Sequence, residues 1–203
     1  MLDLRLRTTK DRLLDPVAGR LAGRIAPLAL SLAGAALCVG AGILAWQRLT
    51  PIAVACWLAG RLLDGLDGPV ARRRGSASDF GGFVDLVLDT IGYVAVPLGL
   101  AAGAADTRNW TITAVLLATF YVNAVSLLML SAILEKRAAG AGRRGEVTTV
   151  TMPAALIEGT ETIVLFSVAL ALPQWSDEVF AIMAIGVVVG VAQRWAAARR
   201  LLT

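Results

Sequence analysis

Long apolar stretches alternate with short polar links along most of the chain. Six of these stretches are each near the ~20 residues that a helix needs to cross a bilayer. They cover residues 28–47, 51–71, 82–103, 110–134, 152–173 and 178–195. The pattern predicts an all-α, polytopic membrane protein with six transmembrane helices.

The first 24 residues follow a different pattern, in which charged residues alternate with leucine. The apolar positions that share one helical face are Leu6, Leu13, Leu14, Val17 and Leu21. This arrangement predicts an amphipathic helix lying in the membrane interface, with a break expected at Asp15-Pro16. A basic topology signal with incidental amphipathicity explains the same residues, and this explanation is compatible with an interfacial helix. We therefore expect a cytoplasmic interfacial segment at 1–24 and a six-helix membrane domain at 25–203.

Basic residues cluster at one set of span ends. They are Arg5, Arg7, Lys10, Arg12, Arg20, Arg24, Arg72, Arg73, Arg74, Lys136, Arg137, Arg143, Arg144, Arg194, Arg199 and Arg200. The other span ends carry only Arg48 and Arg108. Because Lys and Arg near span ends stay in the cytoplasm, both termini are expected on the cytoplasmic side of the inner membrane. The net charge of +4 fits this asymmetry and attraction to anionic lipids, so it does not indicate nucleic-acid binding.

The composition excludes several classes of protein. With 57% hydrophobic and 17% charged residues, the chain resembles an integral membrane protein rather than a soluble domain. Cys38 and Cys56 fall inside spans without CxxC spacing, so we expect no disulfide. No cleavable signal peptide is expected, because the first apolar run is long enough to remain as a span. The sequence has no histidine, which excludes a histidine-based triad or zinc site and leaves carboxylates as the common candidates for a general base.

Four aspartates flank the short polar link between the second and third predicted spans. Asp64 and Asp67 are three residues apart, and Asp85 and Asp89 are four apart, so each pair shares a helical face. Antiparallel helices would bring all four carboxylates together just inside the cytoplasmic interface. Such charges repel strongly unless cations neutralise them. Aspartate oxygens without His or Cys favour Mg²⁺ or Mn²⁺, and two such ions ~3.5–4 Å apart recur in phosphoryl chemistry.

Simpler explanations exist for each part of this cluster. A single intramembrane aspartate could pair with Arg61 or Arg72, and the run 72–74 could be a topology signal. The main alternative function is an ion or solute transporter that uses the cluster as an ion site, since carboxylates in spans often serve that purpose. A transporter predicts acids spread along a pathway across the bilayer, whereas these lie at one end.

The same segment resembles the signature of the CDP-alcohol phosphotransferase family, D-x2-D-G-x2-A-R-x8-G-x3-D-x3-D. Its fixed positions are Asp64, Asp67, Gly68, Ala71, Arg72, Gly81, Asp85 and Asp89. The six expected spans and cytoplasmic termini also resemble that family. The resemblance implies transfer of a phosphatidyl or similar phospho-alcohol group from a CDP-linked donor, such as CDP-diacylglycerol, to a hydroxyl acceptor. CMP would be released, as a step of phospholipid biosynthesis.

The resemblance also implies roles for individual residues. Asp64 and Asp85 would bridge two Mg²⁺ or Mn²⁺ ions, while Asp67 would hold one of them. Asp89 would hold the other ion and accept the proton of the acceptor hydroxyl, a role open to a carboxylate. The expected contacts with the CDP donor come from Gly68, Ala71, Arg72, Ser78 and Gly81. Family members are often homodimers, so a homodimer is expected.

One stretch departs from the family pattern. Many members carry Pro-Asn-x-x-Thr at the entry to the first span, whereas residues 27–31 here read Pro-Leu-Ala-Leu-Ser. Leu28 therefore weakens the expected donor contact at this point, and the departure does not involve the metal site.

Two glutamates stand one turn apart in the fifth predicted span. Glu158 and Glu161 either hydrogen-bond hydroxyls of a polar acceptor or form a structural pair with Arg194 or Arg61. Asn123 and Ser126 of the fourth span either line the same cavity or make interhelical hydrogen bonds.

The sequence does not determine which hydroxyl compound is the acceptor. The basic link with Lys136, Arg137, Arg143 and Arg144 would attract a phosphorylated acceptor, although membrane topology explains the same residues. A phosphorylated polyol, a free polyol and another phospholipid all remain candidates.

Overall fold

The computed structural model of the chain describes residues 14–137, 156–157 and 159–202. This part of the chain is all helical, as predicted. Helix α1 is described over residues 14–21. The helices that follow are α2 (Pro27–Trp46), α3 (Thr50–Arg73), α4 (Asp79–Ala104), α5 (Thr107–Lys136), α6 (Gly159–Ala171) and α7 (Ser176–Leu202), with a 3-10 turn at Pro173–Trp175. The predicted boundaries of α2 to α5 agree within a few residues, whereas α7 continues past the expected end at residue 195.

Within the described ranges, four helices are long and apolar enough to cross a membrane. They are α2, α4, α5 and α7 with its preceding 3-10 turn. Helix α3 has 24 residues, but Arg61, Asp64 and Asp67 lower its hydropathy. Helix α6 has 13 residues, shorter than a span, and the predicted fifth span begins among residues outside the described ranges. The chain therefore contains at least four helices suited to a membrane.

The link between α3 and α4 is short because each helix has a local end signal. Gly75 adopts φ +63°, a left-handed conformation that favours glycine and lets the chain leave α3. Ser78 then caps α4, its Oγ accepting a hydrogen bond from the Gly81 amide at 3.1 Å. The chain reverses direction within these few residues, so the end of α3 lies beside the start of α4.

Helix α2 packs against both α3 and α4, and glycines permit the close approach. A Cβ on Gly60 of α3 would lie 2.8 Å from the carbonyl oxygen of Gly34 on α2. A Cβ on Gly99 of α4 would overlap the carbonyl group of Gly42. Such backbone contact through small residues is common between membrane helices. It lets short side chains of α2 reach the acidic ends of its neighbours.

An aromatic cluster joins the remaining helices to this group. Phe166 of α6 is fully buried at its centre. Its ring centroid lies 5.5 Å from Trp57, 5.9 Å from Phe180, 6.2 Å from Tyr93 and 6.3 Å from Phe120, in tilted or edge-on geometries. One ring comes from each helix from α3 to α7, so this cluster fixes the five helices around one core.

Helix α1 packs on the motif end of the bundle. Leu14, Ala18 and Leu21 contact Leu30, Leu66 and Val70 of α2 and α3. Arg73 donates hydrogen bonds of 2.9 and 2.6 Å to the two carboxylate oxygens of Asp15, which holds the pKa of that carboxyl below its usual range.

These contacts change two expectations for the N-terminal segment. Part of the apolar face predicted for the membrane interface is buried against protein, while Val17 stays exposed. The expected break at Asp15-Pro16 is wrong for the described residues, because residues 14–21 form one uninterrupted helix.

Candidate active site

Three of the four motif aspartates meet at the junction of α3 and α4. One carboxylate oxygen from each of Asp64, Asp67 and Asp85 lies within 4.8 Å of the others. Asp67 is buried, and the other two are half-buried. The short link between the helices and the one-face spacing of the aspartates produce this triplet.

The triplet has the chemistry of a site for a divalent metal ion. Oδ1 of Asp85 is buried and has no hydrogen-bond partner among the described residues. A buried carboxylate oxygen without a partner is costly, and a cation shared with Asp64 and Asp67 would remove that cost. Oxygen ligands alone suit hard ions such as Mg²⁺ or Mn²⁺. The residues present therefore fit a divalent metal ion.

Ser31 of α2 supports this triplet from the neighbouring helix. Its hydroxyl donates a 2.5 Å hydrogen bond to Oδ2 of Asp67, and both residues are buried. In the sequence, Ser31 stands out only as the last residue of the 27–31 stretch that departs from the family pattern. Ser31 aligns with the threonine of the family pattern, and this alignment is the signal in the sequence that could have identified it as a site residue.

Asp89 lies outside the triplet and has a different partner. Arg61 of α3 forms an ion pair with Asp89 through Nη1, and the same atom lies 3.6 Å from Oδ2 of Asp64. From the sequence alone, Arg61 was predicted only as an alternative partner for a single aspartate. Of the four motif carboxylates, three therefore form a triplet suited to a metal ion, and the fourth, Asp89, forms an ion pair with Arg61.

The residues expected to contact the donor lie around the same end. Arg72 is exposed and borders a cavity of about 230 Å³ that is also lined by Asp15, Pro69 and Arg73. A Cβ on Gly68 would lie 3.3 Å from Nη1 of Arg72, so glycine leaves room for that guanidinium.

The other expected donor residues lie at the end of α3 and the start of α4. Ala71 is half-buried on the last turn of α3, and Ser78 and Gly81 are exposed. Ser78 caps α4, an interaction that engages the hydroxyl expected to contact the donor.

The residues proposed for the acceptor are only partly described. Glu161 is half-buried in the first turn of α6, whereas Glu158, Arg143 and Arg144 lie outside the described residues. Nη1 of Arg194 donates 2.7 Å hydrogen bonds to Oδ1 of Asn123 and to Oγ of Ser126. For Asn123 and Ser126, the alternative of interhelical hydrogen bonds therefore holds, because these bonds connect α5 with α7.

Comparison with known proteins places this geometry in a family. The sequence model of the CDP-alcohol phosphatidyltransferase family matches residues 24–192. The chain belongs to that family. All eight signature positions lie inside the match, so the resemblance drawn from the motif alone is confirmed. The triplet therefore sits at the characteristic motif of a CDP-alcohol phosphatidyltransferase domain.

Two curated relatives share part of this domain. The inner membrane protein YnjF from Escherichia coli is 38% identical over 118 residues, covering 58% of this chain and 56% of that protein. An archaetidylinositol phosphate synthase from Methanothermobacter thermautotrophicus is 35% identical over 92 residues, covering 45% of this chain and 46% of the relative. The chain spans about half the length of these curated relatives.

A solved structure shares the CDP-alcohol phosphatidyltransferase fold. The crystal structure of Mycobacterium tuberculosis phosphatidylinositol phosphate synthase with CDP-DAG bound superimposes with a TM-score of 0.70. It is 20% identical, covering 92% of this chain and 94% of that chain. The likeness therefore extends over nearly the whole length of both chains.

Proposed function

We propose that the protein transfers a phosphatidyl group from a CDP-linked donor, CDP-diacylglycerol, to a hydroxyl acceptor and releases CMP. The observation that carries the proposal is the Asp64–Asp67–Asp85 triplet at the family signature. The structural neighbour with CDP-DAG bound supports the choice of donor. The proposed reaction is a step of phospholipid biosynthesis at the membrane.

The proposed step is a displacement at the phosphorus of the phosphatidyl group. The acceptor oxygen forms a bond to that phosphorus, while the bond to the oxygen of the CMP group breaks. CMP leaves with the bonding electron pair, and the proton of the acceptor hydroxyl passes to Asp89. Such a reaction depends mainly on positioning and on stabilisation of negative charge.

The aspartates would hold two Mg²⁺ or Mn²⁺ ions, with Asp64 and Asp85 shared, Asp67 on one ion and Asp89 on the other. When bound, these ions supply positive charge against the pyrophosphate of the donor and the departing CMP. Gly68 and Ala71 leave space for the nucleotide beside the helix, and Arg72 faces a donor phosphate. Ser78 and Gly81, at the start of α4, complete the proposed donor contacts.

For the acceptor, we propose a phosphorylated polyol as the first candidate. Two proteins similar to this chain are named as synthases of inositol phosphate lipids, an archaetidylinositol phosphate synthase and a phosphatidylinositol phosphate synthase. Lys136 and Arg137 end α5 with positive charge, which favours a phosphorylated molecule. Glu161, with Glu158, would bind hydroxyls of that acceptor. A free polyol or a phospholipid acceptor remains to be tested beside it.

We also propose a six-span topology with both termini and the site on the cytoplasmic side. The distribution of Lys and Arg supports this orientation. The E. coli relative, named as an inner membrane protein, supports the location. A homodimer stays a prediction, and so does the division into an interfacial segment at 1–24 and a membrane domain at 25–203.

The direct test offers the purified protein labelled CDP-diacylglycerol with a panel of acceptors. The panel contains inositol phosphate, glycerol phosphate, their free polyols and phosphatidylglycerol, each with and without Mg²⁺ or Mn²⁺. We expect metal-dependent release of CMP and one labelled lipid product, identified by mass spectrometry. A folded protein that releases no CMP with any acceptor, yet moves ions in liposomes, would favour the transporter alternative.

The Ser31 hydroxyl is expected to strengthen metal binding through Asp67. Ser31→Ala should raise the Mg²⁺ concentration that gives half-maximal activity by about 10- to 100-fold, the usual cost of losing a partner of a metal ligand. Ser31→Thr keeps the hydroxyl and serves as the matched control. Equal Mg²⁺ dependence in the alanine and threonine variants would show that the hydrogen bond does not contribute.

Arg72 is expected to act on the donor rather than on the acceptor. Arg72→Ala should raise the KM for CDP-diacylglycerol by about tenfold, the scale of one charge-assisted hydrogen bond, and change the KM for the acceptor much less. Arg73→Ala removes a neighbouring guanidinium that bonds Asp15 instead, so it controls for a general loss of positive charge. Equal changes in both Michaelis constants for Arg72→Ala would contradict this assignment.

A further inference from the structure

Arg61 is a buried cation next to the proposed catalytic carboxylates. It is 6% exposed, and its Nη1 is shared between the ion pair with Asp89 and the 3.6 Å approach to Asp64. Burial removes a charged group from water, which costs free energy unless nearby partners compensate for the lost hydration. The signature of the family does not contain this position.

Arg61 is held in one orientation by its surroundings. Its Cζ lies 5.0 Å from the ring centroid of Trp57 and 5.2 Å from that of Tyr93, distances at which aromatic faces attract a guanidinium. Nη2 donates a 3.4 Å hydrogen bond to Sγ of Cys38. Trp57 is itself fixed, since its Nε1 donates to the carbonyl of Ile163 on α6. The guanidinium is thus directed at Asp89 by side chains of α2, α3 and α4.

The charge of Arg61 acts on both groups of carboxylates. It pairs with Asp89, which lies outside the triplet, and it reduces the negative potential at Asp64, which belongs to the triplet. A unit charge a few ångström away changes the affinity of a partly buried site for a cation substantially. Removing Arg61 should therefore affect turnover and metal affinity in opposite directions.

We propose that Arg61 is a positioning residue that holds Asp89 in place for proton transfer and offsets part of the negative charge of the Asp64–Asp67–Asp85 triplet. The first half rests on the proposed function, because it concerns the acceptor proton. The second half concerns metal binding alone and is measurable without any substrate. A purely structural Arg61 would give a different result, in which its loss weakens metal binding and turnover together.

The test measures Mn²⁺ binding to the full-length protein in detergent by calorimetry and by the electron paramagnetic resonance of free Mn²⁺. Arg61→Met keeps an unbranched side chain against Trp57 and Tyr93 but removes the charge. We expect it to bind Mn²⁺ about tenfold more tightly than the unchanged protein. Arg61→Lys should bind Mn²⁺ nearly as the unchanged protein does. Arg194→Met, at another buried arginine that bonds Asn123 and Ser126, should not tighten Mn²⁺ binding.

Turnover provides the second readout. Arg61→Met should lower kcat by about tenfold or more, the scale of a misplaced catalytic group, with little change in the KM for the donor. Arg61→Lys should recover part of that kcat. Unchanged or weaker Mn²⁺ binding in Arg61→Met would overturn the charge-balancing role, and an unchanged kcat would overturn the positioning role.

A second variant covers the case in which Arg61→Met does not fold because the half-buried Asp89 loses its ion pair with Arg61. The double variant Arg61→Met/Asp89→Asn removes the pair as a unit, and Asp89→Asn alone is its reference. The double variant should bind Mn²⁺ about tenfold more tightly than the reference, and equal or weaker binding would overturn the proposal. If the unchanged protein had no transferase activity, the proposed function would fail, while this Mn²⁺ comparison would still decide the charge-balancing role.

Discussion

Replacing Asp64 or Asp85 with Asn is expected to lower turnover by ~10³ or more. Each amide keeps the size of the carboxylate but removes the charge and one strong ligand from the triplet. Loss of the several kcal/mol that a metal ion contributes to stabilising a transition state corresponds to a factor of that size. The effect should be larger at these two positions than at Asp67, because both are proposed to contact two ions.

The measurement is CMP release at saturating donor, with Mg²⁺ varied over a wide range. Asp106→Asn is the matched control, since Asp106 caps α5 by accepting the Asn109 amide at 3.0 Å and asparagine caps helices equally well. That variant should keep full activity and full thermal stability. Undiminished turnover in Asp64→Asn or Asp85→Asn would remove the two-metal proposal, whereas loss in all three variants would point to a folding defect.

The aspartate triplet could be predicted from the sequence. Spacings of three and four residues place carboxylates on one helical face whatever the rest of the fold does. A link as short as 74–78 keeps the end of α3 close to the start of α4. Together with the packing of both helices on α2, these local features bring Asp64, Asp67 and Asp85 together.

Ser31 and Arg61 show where such reasoning stops. Ser31 lies 36 residues before Asp67, and its hydrogen bond depends on the close crossing of α2 and α3 at Gly34 and Gly60. The partner of Arg61 was equally undetermined, because an intramembrane arginine can pair with any nearby carboxylate. The packing of Trp57 and Tyr93 around the guanidinium and its hydrogen bond to Cys38 direct it at Asp89.

The apolar pattern predicted helices better than it predicted their surroundings. Runs of apolar residues gave the bounds of α2 to α5 closely, since helix length follows directly from the run. The same pattern placed the apolar face of the N-terminal segment in the membrane interface, yet Leu14 and Leu21 of that face pack against α2 and α3. Amphipathicity shows that a face must be covered but does not identify the group that covers it.

Asp89→Asn is expected to separate the chemical step from donor binding. Asp64, Asp67 and Asp85 still supply carboxylates near the donor pyrophosphate, so binding of a non-reacting CDP ligand at saturating Mg²⁺ should remain within a few fold of the unchanged protein. Turnover should fall by ~10² or more, the usual contribution of a positioned base. Asp89→Glu keeps a carboxylate next to Arg61 and should retain more turnover than the amide.

The same substitution removes the closer ion pair of Arg61 and leaves Asp64, at 3.6 Å, as the other carboxylate near its Nη1. Loss of the closer pair from a buried guanidinium destabilises the fold, so the melting temperature of each variant has to be compared before its kinetics. Because a loose transition state leaves the acceptor proton in place until late in the reaction, part of the loss could come from a displaced metal ion rather than a missing base. Calorimetric titration with the CDP ligand distinguishes the two cases. If affinity collapses together with turnover, Asp89 acts chiefly as a metal ligand and the base is another group.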